Sequence, residues 1–175
     1  MKKQVSAIIT ALFLLIVSSE SFCKIGIVVN KDLYPFVRDE IQTLANDIST
    51  IEGESVWIDS TTYNEESTTE DLRFKLFNMY YAVSLDGCIF IGNLPIAMYE
   101  TYKVNSNGTI DYSEFPIDLY FMDINGQWND NHQDGEWGGR AKTGYFDEHI
   151  DGTNGSYKAD IWISRIIPDK VPGLG

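Results

Sequence analysis

The 175-residue chain is poor in cysteine and histidine, with two of each, and holds only five prolines. Two cysteines exclude a disulfide framework as the source of stability. Cys88 and two histidines match no recognised zinc spacing. Cations are scarce too: 13 Lys and Arg stand against 26 Asp and Glu, a net charge of −13. Such a surface repels phosphate backbones and anionic headgroups, which excludes nucleic acid and anionic membranes as partners and favours cation binding. The longest run of apolar and small residues, "VSAIITALFLLIV" at 5–17, is shorter than the roughly 20 residues of a membrane-spanning helix. The chain shows no internal repeat and no low-complexity tract.

That run follows Lys2 and Lys3 and leads into "SSESFC", the order of a secretory signal peptide. Residues 1–23 are therefore expected to leave on export, by cleavage after Ser21 or after Cys23. The protein is expected outside the cell, with no stable membrane insertion after cleavage. Residues 24–175 then carry 11 basic against 25 acidic side chains, a net −14. About 150 residues suffice for one domain that buries most of its apolar surface without staples.

"KIGIVVN" is an unbroken apolar run rich in β-branched residues, the pattern of a strand buried on both faces. Phe36, Val37, Ile41, Leu44, Ala45 and Ile48 then recur at helical spacing until Gly53. "SVWIDS" reads as a strand. Thr68, with Asp71 three residues on, caps a second helix striped by Leu72, Leu76, Met79 and Tyr80. "GCIFIGN" is a third strand. This alternation predicts an α/β fold, with βαβ crossovers and a parallel sheet of four to five strands. Beyond Pro95, "YETYKV" and "TIDYSEF" flank "NSNG" as a β-hairpin. "IDLYFMDI" reads as another strand, and "ADIWISRII" as the last.

Between them lies a long acidic loop from Asp123 to about Tyr157, without apolar periodicity. Loops of such length inside a domain need something to hold them. Asp123, Asn125, Gln127, Asn129, Asn131 and Asp134 take alternate places in a twelve-residue window, as oxygen ligands do in an EF-hand. Trp128 stands where that loop needs glycine, and no helices flank it, so an EF-hand is rejected. Two readings stay open. One is a looser calcium site built from Asp123, Asn125, Asp130 and Asp134. The other is a solvated loop pinned by Tyr120, Trp128 and Trp137. Cys88 stands between Gly87 and Ile89, the place of a packed small hydrophobe rather than a nucleophile. His132 and His149 read as loop residues.

"GCIFIGNLP", "FPIDLYFMDINGQW", the glycine-rich acidic loop and "ADIWISRI" come in an order that resembles the first half of the gingipain-type cysteine peptidases. These are secreted relatives of the caspase and legumain fold. The resemblance spans roughly residues 85–167, and residues 24–84 share only the βαβ layout. It implies a caspase-like or flavodoxin-like three-layer core, incomplete here, a peptide or protein substrate and bound calcium. It also implies that Asp118 contributes to recognition of a basic side chain. Ser164 precedes Arg165 where the family has Gly. The family acts through a Cys nucleophile activated by a His that stands before Gly. Here His132 precedes Gln and His149 precedes Ile. The expectation is a front half of such a domain, truncated at its C-terminal end and inactive alone. A non-catalytic module whose acidic aromatic loop contacts a carbohydrate or peptide is the alternative, and a purely structural subdomain a further one.

Intact mass of exported material should place the mature N-terminus between residues 22 and 24, and a retained Met1 would contradict the signal peptide.

Overall fold

A computed structural model describes residues 23–131, 144–150 and 158–167. Its first part runs β1 (Cys23–Val29), α1 (Tyr34–Ile51), β2 (Ser55–Asp59), α2 (Thr69–Val83) and β3 (Gly87–Ile91). The last strand, β9 (Trp162–Ile166), returns beside β3, so that a parallel four-stranded sheet forms in the order β2-β1-β3-β9. Successive residues of a strand point to opposite faces. Ile27, Val29 and Ile91 accordingly meet Ile41 and Ala45 of α1. Val28, Cys88 and Phe90 meet Leu72 and Leu76 of α2 in a second, larger cluster. With helices on both faces, neither side of β1 or β3 tolerates polar alternation, which is why their sequences are continuously apolar.

Local sequence explains most of the helix ends. Pro35 sits in the first turn of α1, where its missing N–H costs nothing. Val37 leaves helical geometry, with φ −128° and ψ 17°. Phe36 beside it is 82% exposed rather than part of the apolar stripe. Gly53 follows the helix with φ +70°. The Thr68 hydroxyl accepts a hydrogen bond from the Asp71 amide at 3.1 Å, capping α2 as its sequence predicts.

The chain between β3 and β9 makes two smaller sheets. Strands β4 (Met98–Val104) and β5 (Ile110–Pro116) form the expected antiparallel hairpin, with Gly108 at φ +81° in its turn. Glu100 on β4 is fully buried and accepts from the hydroxyls of Tyr102 and Tyr112 at 3.0 and 2.6 Å. The short β7 (Tyr145–Phe146) extends this hairpin along β4.

"IDLYFMDI" is not a strand. It forms a single helical turn, α3 (Leu119–Met122), in which the amides of Phe121 and Met122 both return to the Asp118 carbonyl. The turn lets the adjacent Tyr120 and Phe121 enter one core cluster, at 3% and 0% exposure, where a strand would send them to opposite faces. The described parts of the acidic loop are not structureless either. Its β6 (Gln127–Asn129) pairs antiparallel with β8 (Glu148–Ile150), which sets Trp128 opposite His149. His132, Asp134 and Trp137 lie outside the described residues, as does the expected signal segment 1–22. Among the described residues no helix is long and apolar enough to cross a membrane.

Phe121 stacks edge-on against Phe90 at 5.4 Å between ring centroids. Replacing it by Ala should cost about 3–5 kcal/mol, whereas Phe36→Ala should stay within about 0.5 kcal/mol. Urea denaturation of the two variants checks this.

Candidate functional site

The acidic aromatic segment folds back on itself below α2, and Arg73 of α2 organises it. Its Nη2 donates to three backbone carbonyls, of Asp123 at 2.8 Å, Ile124 at 3.3 Å and Gly126 at 2.7 Å. The guanidinium also lies over the Tyr120 ring, 4.9 Å from its centroid. Burial lowers the pKa of Arg73, and the neighbouring Tyr120, Asp123 and Asp160 oppose that shift. Burial, then the charge of Glu70, pushes the Tyr120 phenol up to about 12. An arginine fits here because one planar group satisfies carbonyls that a short turn leaves without partners.

Asp123 closes the same turn from inside. It is 3% exposed, and its Oδ1 accepts from the Gly126 amide at 3.0 Å. A Cβ on Gly126 would collide with that carboxylate, so glycine is required by proximity. The Oδ2 atom of Asp123 meets Nε2 of His149 at 2.5 Å. The imidazole is itself stacked on the Trp128 indole, 4.1 Å away and 19° from parallel. Asp160 holds the turn from the opposite side. Its Oδ2 accepts from the amides of Ile124 and Asn125 at 2.9 and 3.3 Å, and the Asn125 side-chain amide donates to both of its oxygens. Further along, Glu148 accepts from the side chains of Asn129 and Asn131 at 2.7 and 3.0 Å. These two hydrogen bonds hold the Glu148 carboxyl below its ordinary pKa.

The carboxylates of Asp123, Asp160 and Glu148 are thus engaged by backbone and side-chain amides and an imidazole, while the Arg73 guanidinium holds backbone carbonyls. The segment's aromatics are engaged too. Tyr120 stacks on Phe146 at 4.5 Å, and Trp128 packs against both rings. Tyr120 and Phe146 belong to the core, and Trp128 packs against it.

Of the four oxygen ligands expected for calcium, Asp123 and Asn125 share one turn, Asp130 follows β6, and Asp134 lies outside the described residues. The fit to a cation is partial. Both oxygens of Asp123 face protein donors, and no group of three acidic, His or Cys side chains converges among the described residues. The amide oxygen of Asn125, however, is buried without a hydrogen-bond partner among those residues, and a hard cation takes such an atom.

Asp118 lies at the start of α3, with its Oδ1 2.7 Å from Nε of Arg165 on β9. Arg165 also donates to the Pro95 carbonyl at 2.9 Å and lies over the rings of Phe90 and Phe121. The carboxylate expected to meet a substrate's basic side chain already holds a guanidinium of its own chain. Cys88 is buried at mid-strand, with its sulfur against Gly26.

Arg73→Met should destabilise the fold by about 2–3 kcal/mol, because the carbonyls lose a charged donor while remaining partly buried. Arg73→Lys should recover little of that loss, since an ammonium lacks the planar geometry. Chemical denaturation of both variants measures the difference.

Comparison with known proteins finds no family model, no curated protein and no solved structure that matches this chain.

Proposed function

We propose that this chain is the front half of a secreted, gingipain-like cysteine-peptidase domain, supplying its sheet and acidic turn but no nucleophile. The observation that carries the reading is the pairing of β3 with β9. Two apolar strands some 70 residues apart lie adjacent and parallel, and the hairpin and acidic turn between them form an insertion beside the sheet. That is the order in which the resembling segments occur. The burial of Cys88 supports a chain without its own thiol chemistry, because a reactive thiolate needs access and an electropositive neighbourhood. In this reading the substrate is a peptide, and Asp118 receives its basic side chain only by exchange with Arg165.

The chain by itself should turn over no Arg or Lys ester or amide, and Cys88 should react with iodoacetamide only after denaturation. Fast labelling of the native protein, with turnover abolished by Cys88→Ala, would overturn the assignment.

Calcium belongs to the same reading. Asp123, Asn125, Asp130 and Asp134 would supply oxygens to the ion, which would take the place of His149 at Asp123. The ion would neutralise carboxylates on a chain of net charge −13. With a Kd of about 0.1 mM, roughly 10 mM Ca²⁺ adds about 2.7 kcal/mol to the folded state and raises Tm by roughly 5–10 °C. Magnesium should do much less, and Asn125→Ala should remove most of the calcium shift while Asp111→Ala does not. Equal shifts with calcium, magnesium and sodium chloride at matched ionic strength would mean charge screening alone.

A further inference from the structure

The outer face of α2 differs from the rest of this acidic surface. Phe74, Phe77 and Tyr81 follow one another at helical spacing and are 66%, 40% and 60% exposed. Exposed rings at this density mark a contact surface more often than chance. Phe74 is the ridge between two concavities, of about 520 and 300 Å³, and lines both. The larger holds Glu66, Asp71 and Asn78, and lies beside the N-terminus of α2. The smaller is closed by Phe77 and Tyr120.

We propose that this groove binds a neutral oligosaccharide, with a sugar ring seated on Phe74. An exposed aromatic ring accepts the apolar C–H face of a pyranose, whose hydroxyls then reach the flanking polar groups. Glu66 and Asp71 are exposed carboxylates that form no ion pair among the described residues, and they accept strong hydrogen bonds from hydroxyl donors. Asn78 supplies both a donor and an acceptor. Charge decides against the anionic alternatives. Glu66, Glu70 and Asp71 surround the groove on a chain of net charge −13, which disfavours phosphates and uronic acids. The cations nearby are already committed, Arg73 to backbone carbonyls and Lys75 to the face of Trp57, 4.8 Å from its ring centroid. The groove shares Arg73, Tyr120 and Ile124 with the acidic turn, but its test reads sugar binding rather than peptidase activity or calcium, so its outcome is separate from that of the peptidase reading.

The test is an amide-NMR titration of the exported chain with cellohexaose, xylohexaose, chitohexaose, mannohexaose and maltohexaose, each to about 5 mM, in the weak range expected for one exposed stacking ring. At least one should shift resonances clustered at residues 62–81. Phe74→Ala should weaken that ligand about tenfold, the worth of a stacked ring, and Phe36→Ala should leave it unchanged. Both rings are exposed, so both variants keep the fold. No binding by any of the five, shifts centred elsewhere, an unaffected Phe74→Ala variant, or tighter binding of oligolysine at the same residues would each overturn the proposal.

Discussion

One guanidinium joins the two parts of this protein. Arg73 leaves a helix that packs on the parallel sheet and ends on three carbonyls of a turn belonging to the insertion. The turn has four residues and too few internal bonds to satisfy its own backbone. Without the cation, buried carbonyls would face Tyr120 and the core instead of a donor, at a cost comparable to a lost charged hydrogen bond for each. With it, Asp123 is fixed within reach of both Gly126 and His149, and Trp128 is fixed beneath the imidazole. The remainder of the acidic segment follows from that placement, because β6 and β8 pair directly beyond it.

The same arrangement explains how a chain with twice as many acids as bases keeps carboxylates in its interior. The buried acids among the described residues are held mainly by neutral donors. Asp59 takes the amides of Thr61 and Thr62 and the Thr62 hydroxyl, Glu100 takes two phenols, and Asp123 takes the Gly126 amide beside His149. The two guanidinium groups that penetrate each serve several partners. Arg165 reaches Asp118 while its face covers Phe90 and Phe121, so it links β9 to α3 by charge and by contact together. A planar, weakly hydrated cation suits that double role better than an ammonium.

Much of the sheet was legible in the sequence because burial on both faces writes itself as an unbroken apolar run. β1 and β3 are such runs, β9 is a half-exposed strand interrupted by Ser164 and Arg165, and the Asn-Gly turn and the Thr68 cap are short-range signals of equal clarity. What was not legible depends on distance along the chain. Leu119–Met122 carries four apolar residues and reads as strand, and only the shared burial of Tyr120 and Phe121 makes it a helical turn. Arg73 reaches carbonyls 50 to 53 positions away, His149 reaches Asp123 across 26, and Asp160 reaches Asn125 across 35. No local pattern announces such partners. The sequence drew attention to Asp123 and Asn125 as oxygen ligands for an ion; the structure surrounds Asp123 with donors of the protein itself and leaves the Asn125 amide oxygen without one among the described residues.

The central claim is that the acidic turn is wired internally, with His149 locked between Asp123 and Trp128. Long-range ¹⁵N NMR of the imidazole tests it most directly. In the metal-free protein a proton is expected on Nε2, in slow exchange with water and shifted by its contact with the carboxylate. An imidazole that averages its two ring nitrogens, with its protons exchanging freely with solvent, would contradict it.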